Sequence, residues 1–327
     1  MGEPSSLTAR VAVLRRWKGK SSIEEILARA GYEVTSTNDD GFQPSQADVI
    51  WAQGNINWYP RARALLSRLG HSARPAVMIW HTEPLPFPRN SGFPRPSLSL
   101  REVAKILVRD QRATDAYTNY FRLKEMHRRG LLDLCVVSSR SRQTFLAEKG
   151  IPSHFVPLGF HAGLGTRLNL ERDIDVLFIG TLDDSRHRSA IKFLRDKGVA
   201  VKAMGSWKPG PTWGDSRTEL INRAKIFLNI QRHSGQYSGY RMLLGMANGA
   251  MILSEAVHDP FPYEPGVHYV ESTLQQMPET ILKYLSDEPA RTAVAESGYR
   301  FATETLTIEN SMKQMIALME TMLREKR

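Results

Sequence analysis

Short apolar runs alternate along this chain with longer segments whose apolar positions recur every three or four residues. The short runs predict strands at 10–14, 32–36, 48–52, 76–80, 134–138 and 154–158. The longer segments predict helices at 22–30, 59–69, 100–129 and 140–149. Gly31, Gly70, Gly130 and Gly150 each follow a helix, where a left-handed cap is wanted. Strand and helix alternating at this spacing predict a doubly wound parallel sheet. The pattern then restarts, with a strand at 175–180, a helix at about 188–196, a strand at 199–204 and a helix at 216–223. Two nearly continuous apolar runs follow, at 224–230 and 250–254, as a sheet covered on both faces requires. Helices are expected at 273–287 and, as a pair, from Pro289 to the C-terminus.

The predicted fold class is therefore α/β, with two Rossmann-like doubly wound domains facing a cleft. The first domain takes residues 1–157 and the second 158–305. A terminal helix over 306–327, with apolar residues at Met312, Met315, Ile316, Met319 and Leu323, is expected to pack back across the domains. The Gly-rich connector from Pro157 to Gly165 is the expected hinge. Residues 82–99 break the grammar with five prolines, and long loops of this kind are commonly functional.

Candidate chemistry concentrates behind strand ends, where open α/β sheets bind ligands. Gly239 marks a loop-to-helix junction, with Tyr240 and Arg241 in the first turn. Backbone N–H groups, helix dipole and guanidinium would converge there on an anion, best a phosphate. Gly180 ends another strand and leads to Arg186 and Arg188, either of which suits a diphosphate. Trp207 follows the next strand and can stack on a base. In the first half, His81 and Glu83 sit at a strand end before the proline loop, placed to orient or deprotonate a hydroxyl. Lys18 and Gly19 follow the first strand, where the backbone can approach a ligand; the segment is no P-loop, because Leu14 stands where the upstream glycine is required. His233 is a further loop candidate. No His, Cys, Asp or Glu cluster has metal-ligand spacing, so no metal and no cofactor is expected.

The second half resembles two-Rossmann (GT-B type) glycosyltransferases, most closely the CgeB-like branch related to glycosyltransferase family 4. The resemblance rests on Lys225-Ile226 with Leu228-Asn229, on Arg241 with Gly249-Ala250, and on Pro265-Gly266 with Val270, and covers about residues 174–305. It implies a metal-independent, hexosyltransferase-like enzyme that moves a sugar from a nucleoside diphosphate donor to a hydroxyl, with retention. The donor would lie against Gly180, Arg186 or Arg188, Trp207, Gly239, Tyr240 and Arg241. The chain departs from the family at two carboxylates. Leu244 stands where the family's ribose-gripping glutamate falls, and Gln236 stands eight positions earlier. Leucine accepts no hydrogen bond, so Glu255 or Glu264 would have to substitute. The departure also admits a catalytically altered nucleotide-sugar-binding or partner protein.

Charge adds a second asymmetry. Residues 1–157 carry 23 Lys+Arg against 14 Asp+Glu, whereas 158–327 carry 21 against 20. A basic first half suits an anionic partner: a membrane surface, an acidic glycan, or a nucleic acid that would itself be the acceptor. The lone Cys135 lies in an apolar run and can form no internal disulfide. With no apolar run of about twenty residues and no signal pattern, the expected location is the cytoplasm, peripheral at the membrane.

Overall fold

The computed structural model describes residues 9–15, 22–54, 59–70, 72–108, 115–182, 184–205, 210 and 212–326. They form two compact units, one running to Val156 and resuming at Ser311, the other spanning Pro157–Asn310.

The first unit runs β1 (Arg10–Leu14), α1 (Ser22–Arg29), β2 (Glu33–Thr37), β3 (Val49–Gln53), α2 (Pro60–Leu66), β4 (Ala76–His81), α3 (Leu100–Leu107), α4 (Ala116–Arg128), β5 (Leu134–Val137), α5 (Arg140–Glu148) and β6 (His154–Phe155). Its six strands are all parallel, in the order β2-β1-β3-β4-β5-β6. The central strands are buried throughout, which explains their unbroken apolar sequence: Val49, Ile50 and Trp51 have no exposed surface, and neither do Met78 and Ile79.

One sequence expectation fails here. The single helix over 100–129 is two helices, α3 and α4. Glu102 of α3 turns inward and its Oε1 accepts from the backbone N–H groups of Tyr117 and Thr118, at 2.8 and 3.1 Å. A side chain can satisfy those orphan donors only if a new helix begins at that point.

The second unit runs β7 (Ile174–Ile179), α6 (Ser185–Asp196), β8 (Val201–Met204), α7 (Gly214–Asn222), β9 (Ala224–Asn229), α8 (Gly239–Ala247), β10 (Met251–Ser254), β11 (Val270–Glu271), α9 (Met277–Ser286) and α10 (Glu288–Arg300). Its five strands are parallel, in the order β11-β10-β9-β7-β8. Both sheets thus reverse direction between their first strand and the strand that follows the second: at β1/β3 and at β7/β9. Such a switch point opens a crevice at the carboxyl edge. Apolar side chains cover both faces of the second sheet, one group around Phe227 and Leu243, the other around Phe178 and Leu228.

The last helix, α11 (Ile308–Lys326), follows the second unit in sequence but largely belongs to the first. Met312, Met315, Met319, Met322 and Leu323 are buried. The Tyr32 hydroxyl donates to Glu320 at 2.8 Å, and Lys326 Nζ reaches Asp133 and the Pro75 carbonyl at 3.3 and 3.2 Å. No helix among the described residues is long and apolar enough to cross a membrane.

Candidate functional site

The carboxyl edge of the second sheet gathers most of the candidate residues at the β7/β9 switch point. β7 ends in Gly180, whose N–H donates to the Met204 carbonyl of β8 at 2.9 Å. A Cβ on Gly180 would stand 2.5 Å from the Phe178 ring and 3.3 Å from Arg241 Nη2. Across from it, Gly205 has φ +148°, and a Cβ there would strike the Gly180 backbone. Gly205 is required by this close approach and Gly180 by the Phe178 ring, and together they leave Arg241 next to bare backbone.

Arg241, in the first turn of α8, donates from Nη1 to Asn229 Oδ1 (3.1 Å) and to the Ile230 carbonyl (2.7 Å). Its guanidinium lies 5.5 Å from the Phe178 ring centroid. Burial, with Arg232 nearby, pushes its pKa down to about 10. A cation strained in this way gains when an anion arrives. The helix end agrees. Ser238 at the N-cap makes no side-chain cap, whereas at α6 the Asp184 carboxylate accepts from the N–H groups of Arg186 and His187 at 3.0 and 3.1 Å. Of the two helix starts at the β7/β9 switch point, α6 and α8, it is α8 that lacks a side-chain cap and is open to a ligand. Gly239 is required there by packing, since a Cβ would meet the Tyr237 ring at 2.8 Å.

Arg186 and Glu255 are engaged with each other. Arg186 Nη1 donates to Glu255 Oε2 at 2.8 Å, its Nη2 donates to Oε1, and Nη1 also reaches the Gln231 carbonyl. Glu255 Oε2 further accepts from the Gln231 N–H at 3.0 Å. The pair raises the Arg186 pKa. Glu255 is 5% exposed, so the carboxylate that sequence offered as a ribose acceptor is instead committed to a bidentate ion pair with the half-buried Arg186. Asn229 Nδ2 donates to Ser254 Oγ (2.9 Å), and that hydroxyl donates to the Glu255 carbonyl (2.7 Å). A continuous hydrogen-bonded path therefore joins Arg241 to Glu255 and Arg186.

The remaining candidates separate. Arg188 is exposed and donates to the Leu182 carbonyl at 2.9 Å, so of the two arginines it is Arg186 that reaches the switch point. Tyr240 is 47% exposed, and its hydroxyl accepts from Arg217 at 3.1 Å. Glu264 and His233 are exposed. Leu244 is 5% exposed and packs in the core, so a carboxylate at that position would lie among apolar side chains. Trp207, Lys18 and Gly19 lie outside the described residues. Sequence reasoning missed Asp184, Asn229, Gln231 and His187. Asp184 had a readable signal, an Asp just before a helical run. His187 is buried, and its Nδ1–H donates to the Thr181 carbonyl at 2.9 Å. Burial lowers its pKa and keeps the ring neutral.

In the first unit, His81 ends β4 with no exposed surface. Burial, and then the charge of Arg142, push its pKa down to about 3. A base needs reach to its proton and a pKa near the working pH, and His81 has neither in this structure. Glu83, two residues on, is half-buried in the loop that follows. Among the described residues no three His, Cys, Asp or Glu side chains gather as a metal site.

A family model described as glycosyl transferase-like matches residues 186–317. No curated protein matches the chain in sequence. In structure the chain is similar to sucrose-phosphate synthase from Thermosynechococcus elongatus, with TM-score 0.63, 13% identity, and 97% of this chain and 99% of that one covered. It is similar to Anabaena HepE solved with UDP and glucose, with TM-score 0.61, 11% identity and coverage of 96% and 100%. It is also similar to the DNA-modifying enzyme β-glucosyltransferase, solved with and without uridine diphosphoglucose, with TM-score 0.55, 10% identity and coverage of 96% and 99%. The chain has the GT-B fold of two Rossmann-like domains, and residues 186–317, which hold most of the candidate site, match a glycosyl transferase-like domain.

Proposed function

We propose that the chain is a glycosyltransferase that moves a sugar from a nucleoside diphosphate donor to an acceptor hydroxyl. The observation that carries this reading is the open N-terminus of α8 with the half-satisfied, charge-strained Arg241 at the β7/β9 switch point. Sugar transfer breaks the bond to the diphosphate, and the leaving oxygens gain charge as it breaks. Arg241 and the first-turn N–H groups of α8 are fixed donors that bind this charge better as it grows. Arg186 and Arg232 add positive charge beside them, and Glu255 and Asp184 hold those two guanidinium groups in place. On this reading Arg241, the guanidinium with no carboxylate paired to it among the described residues, and the end of α8 take the part that a divalent ion plays elsewhere, so turnover is expected to persist in chelator. Retention of configuration follows only from the family resemblance. On the acceptor side, half-buried Glu83 is favoured over His81 as the group that orients the hydroxyl and takes its proton.

A second reading is a nucleotide-sugar-binding protein without turnover. The burial of Leu244 and the commitment of Glu255 to Arg186 favour it, because neither leaves a carboxylate free for a ribose. Calorimetric titration with UDP, UDP-glucose and other nucleoside diphosphate sugars, followed by an assay for donor hydrolysis or transfer, separates the two. Binding with turnover supports the enzyme. Binding without turnover across an acceptor panel supports the second reading, and no binding of any nucleoside diphosphate removes both. Nucleic acid belongs in that panel, because the first half is strongly basic.

A further inference from the structure

Helix α3 is built inside out. Two of its polar side chains face the protein: Glu102 is 7% exposed and caps α4, and Lys105 Nζ lies 2.6 Å from Asp115 Oδ2. Several of its apolar side chains face solvent, while Val103 and Ile106 are half-buried. Leu100 is 89% exposed, Leu107 76% and Val108 75%, with Leu98 just ahead at 43%. At 100° per residue, positions 100, 104, 107 and 108 share one face, and Ala104 is exposed as well. A lone exposed leucine is ordinary, but a whole helical face of them marks a surface that something covers.

The sequence on either side of this face is basic. Residues 95–129 carry nine Lys+Arg against four Asp+Glu. Of the three acids among the described residues, Glu102 is buried as a cap, Asp115 is paired with Lys105, and Glu125 lies within 3.2 Å of Arg122 and 3.0 Å of Arg129. Lys124 and Arg128 are exposed. Each candidate occupant can be judged against this charge. A second copy on the same face would set like charge against like under two-fold symmetry. A nucleic acid would match the charge but offer the leucines nothing apolar. An anionic bilayer supplies both a negative headgroup layer and hydrocarbon beneath it. At eight residues α3 spans roughly 12 Å, which suits a helix lying in the interface rather than crossing it.

We propose that the outward face of α3, formed by Leu98, Leu100, Ala104, Leu107 and Val108, seats in the headgroup layer of an anionic membrane, with the basic residues around it contacting lipid phosphates. The protein would then be held at a membrane surface by one short helix and its charged collar. The proposal requires no sugar donor, so it stands or falls separately from the proposed function.

The test is flotation of the full chain with vesicles of phosphatidylcholine, alone or mixed in equal parts with phosphatidylglycerol. The parent should float with the anionic vesicles, not with the neutral ones, and less as salt rises. Leu100→Glu with Leu107→Glu should weaken that association by about tenfold or more at unchanged melting temperature, since both side chains are exposed. Arg128→Glu with Arg129→Glu should weaken it as well. Because Cys135 is buried, Leu107→Cys can carry an environment-sensitive fluorophore, whose emission should shift to the blue on anionic vesicles. Any of three results would overturn the proposal: a parent that ignores anionic vesicles, a double-Glu variant that floats undiminished, or lipid-independent self-association that the double-Glu variant loses.

Discussion

The carboxyl edges of the two sheets make an instructive pair. Both sheets are parallel, follow the same strand order and place a switch point at the same relation of strands. Yet their described residues differ in what they present. In the first unit, His81, Ser138 and Ser139 have no exposed surface, Arg142 is 7% exposed and donates to Ser138 Oγ, and Ser139 caps α5. In the second, Arg241 keeps part of its guanidinium unsatisfied beside two glycines, and α8 starts without a cap. The fold supplies an edge in both units; among the described residues, the ends of β4 and β5 are closed by caps and burial, whereas the β7/β9 end is left open by glycines and an uncapped helix.

Glu83→Gln is expected to have the largest effect. Turnover should fall by about 10²–10⁴ while donor affinity stays at the parental value, because the change removes an acceptor-side carboxylate only. Steady-state kinetics beside calorimetry reads both. His81→Ala should instead act as a cavity in a packed strand end, lowering the melting temperature first. If His81→Ala loses turnover at parental stability, the end of β4 is not closed in the working enzyme.

Arg241→Ala should weaken UDP or UDP-sugar binding by about 100-fold, the loss expected for a charge-assisted donor at a buried anion site. It should also cost about 1–3 kcal/mol of stability, because Asn229 Oδ1 and the Ile230 carbonyl lose their donor. Arg241→Lys should not restore affinity, since the guanidinium serves protein and ligand at once. Equal affinity in parent and Ala variant would remove the difference between the edges.

Glu255→Ala should destabilise the second unit by up to about 3 kcal/mol, because it strands the Arg186 charge. Adding Arg186→Met should recover part of that loss, and denaturant unfolding of both variants measures the coupling. A strictly additive double variant would show that the pair is not a unit.

In ordinary assay buffers the smallest effect is a pH dependence of stability. The His81 pKa is lowered from 6.5 to about 3 in the fold. Below about pH 6.5 the unfolded chain binds a proton that the folded chain refuses. Stability should therefore fall as pH drops through the window from about 6.5 to about 3, with a slope approaching 1.4 kcal/mol per pH unit from this residue. His81→Gln should flatten the slope, as thermal unfolding across that range would show.

Much of this architecture was legible in the chain. The apolar run at 10–14 is β1 itself, and the run at 224–230 is β9 extended by one residue. Strands buried on both faces write themselves as continuous apolar sequence. The break between α3 and α4 was not legible, because it depends on Glu102 reaching a backbone fifteen residues away. In the site, Gly239 and Arg241 could be read from their place at a loop-to-helix junction. The pairing of Arg186 with Glu255 could not, since 69 residues separate them and only the neighbouring ends of β7, β9 and β10 bring them together. The burial of His81 was hidden for a similar reason: a strand end looks the same in sequence whether or not neighbouring side chains close over it.

The placement of α11 bears on how the molecule is made. The chain completes the first unit's sheet by residue 155, but the helix that contributes five buried side chains to that unit is translated only after the whole of the second. On the ribosome, the first unit must wait for the whole of the second to emerge before its final surface is covered, whereas the second is continuous in sequence and can close as soon as it is synthesised. A nascent chain stalled before Ser311 should thus hold a finished second unit and an unfinished first one, exposed to proteases and chaperones for the time it takes to translate the rest.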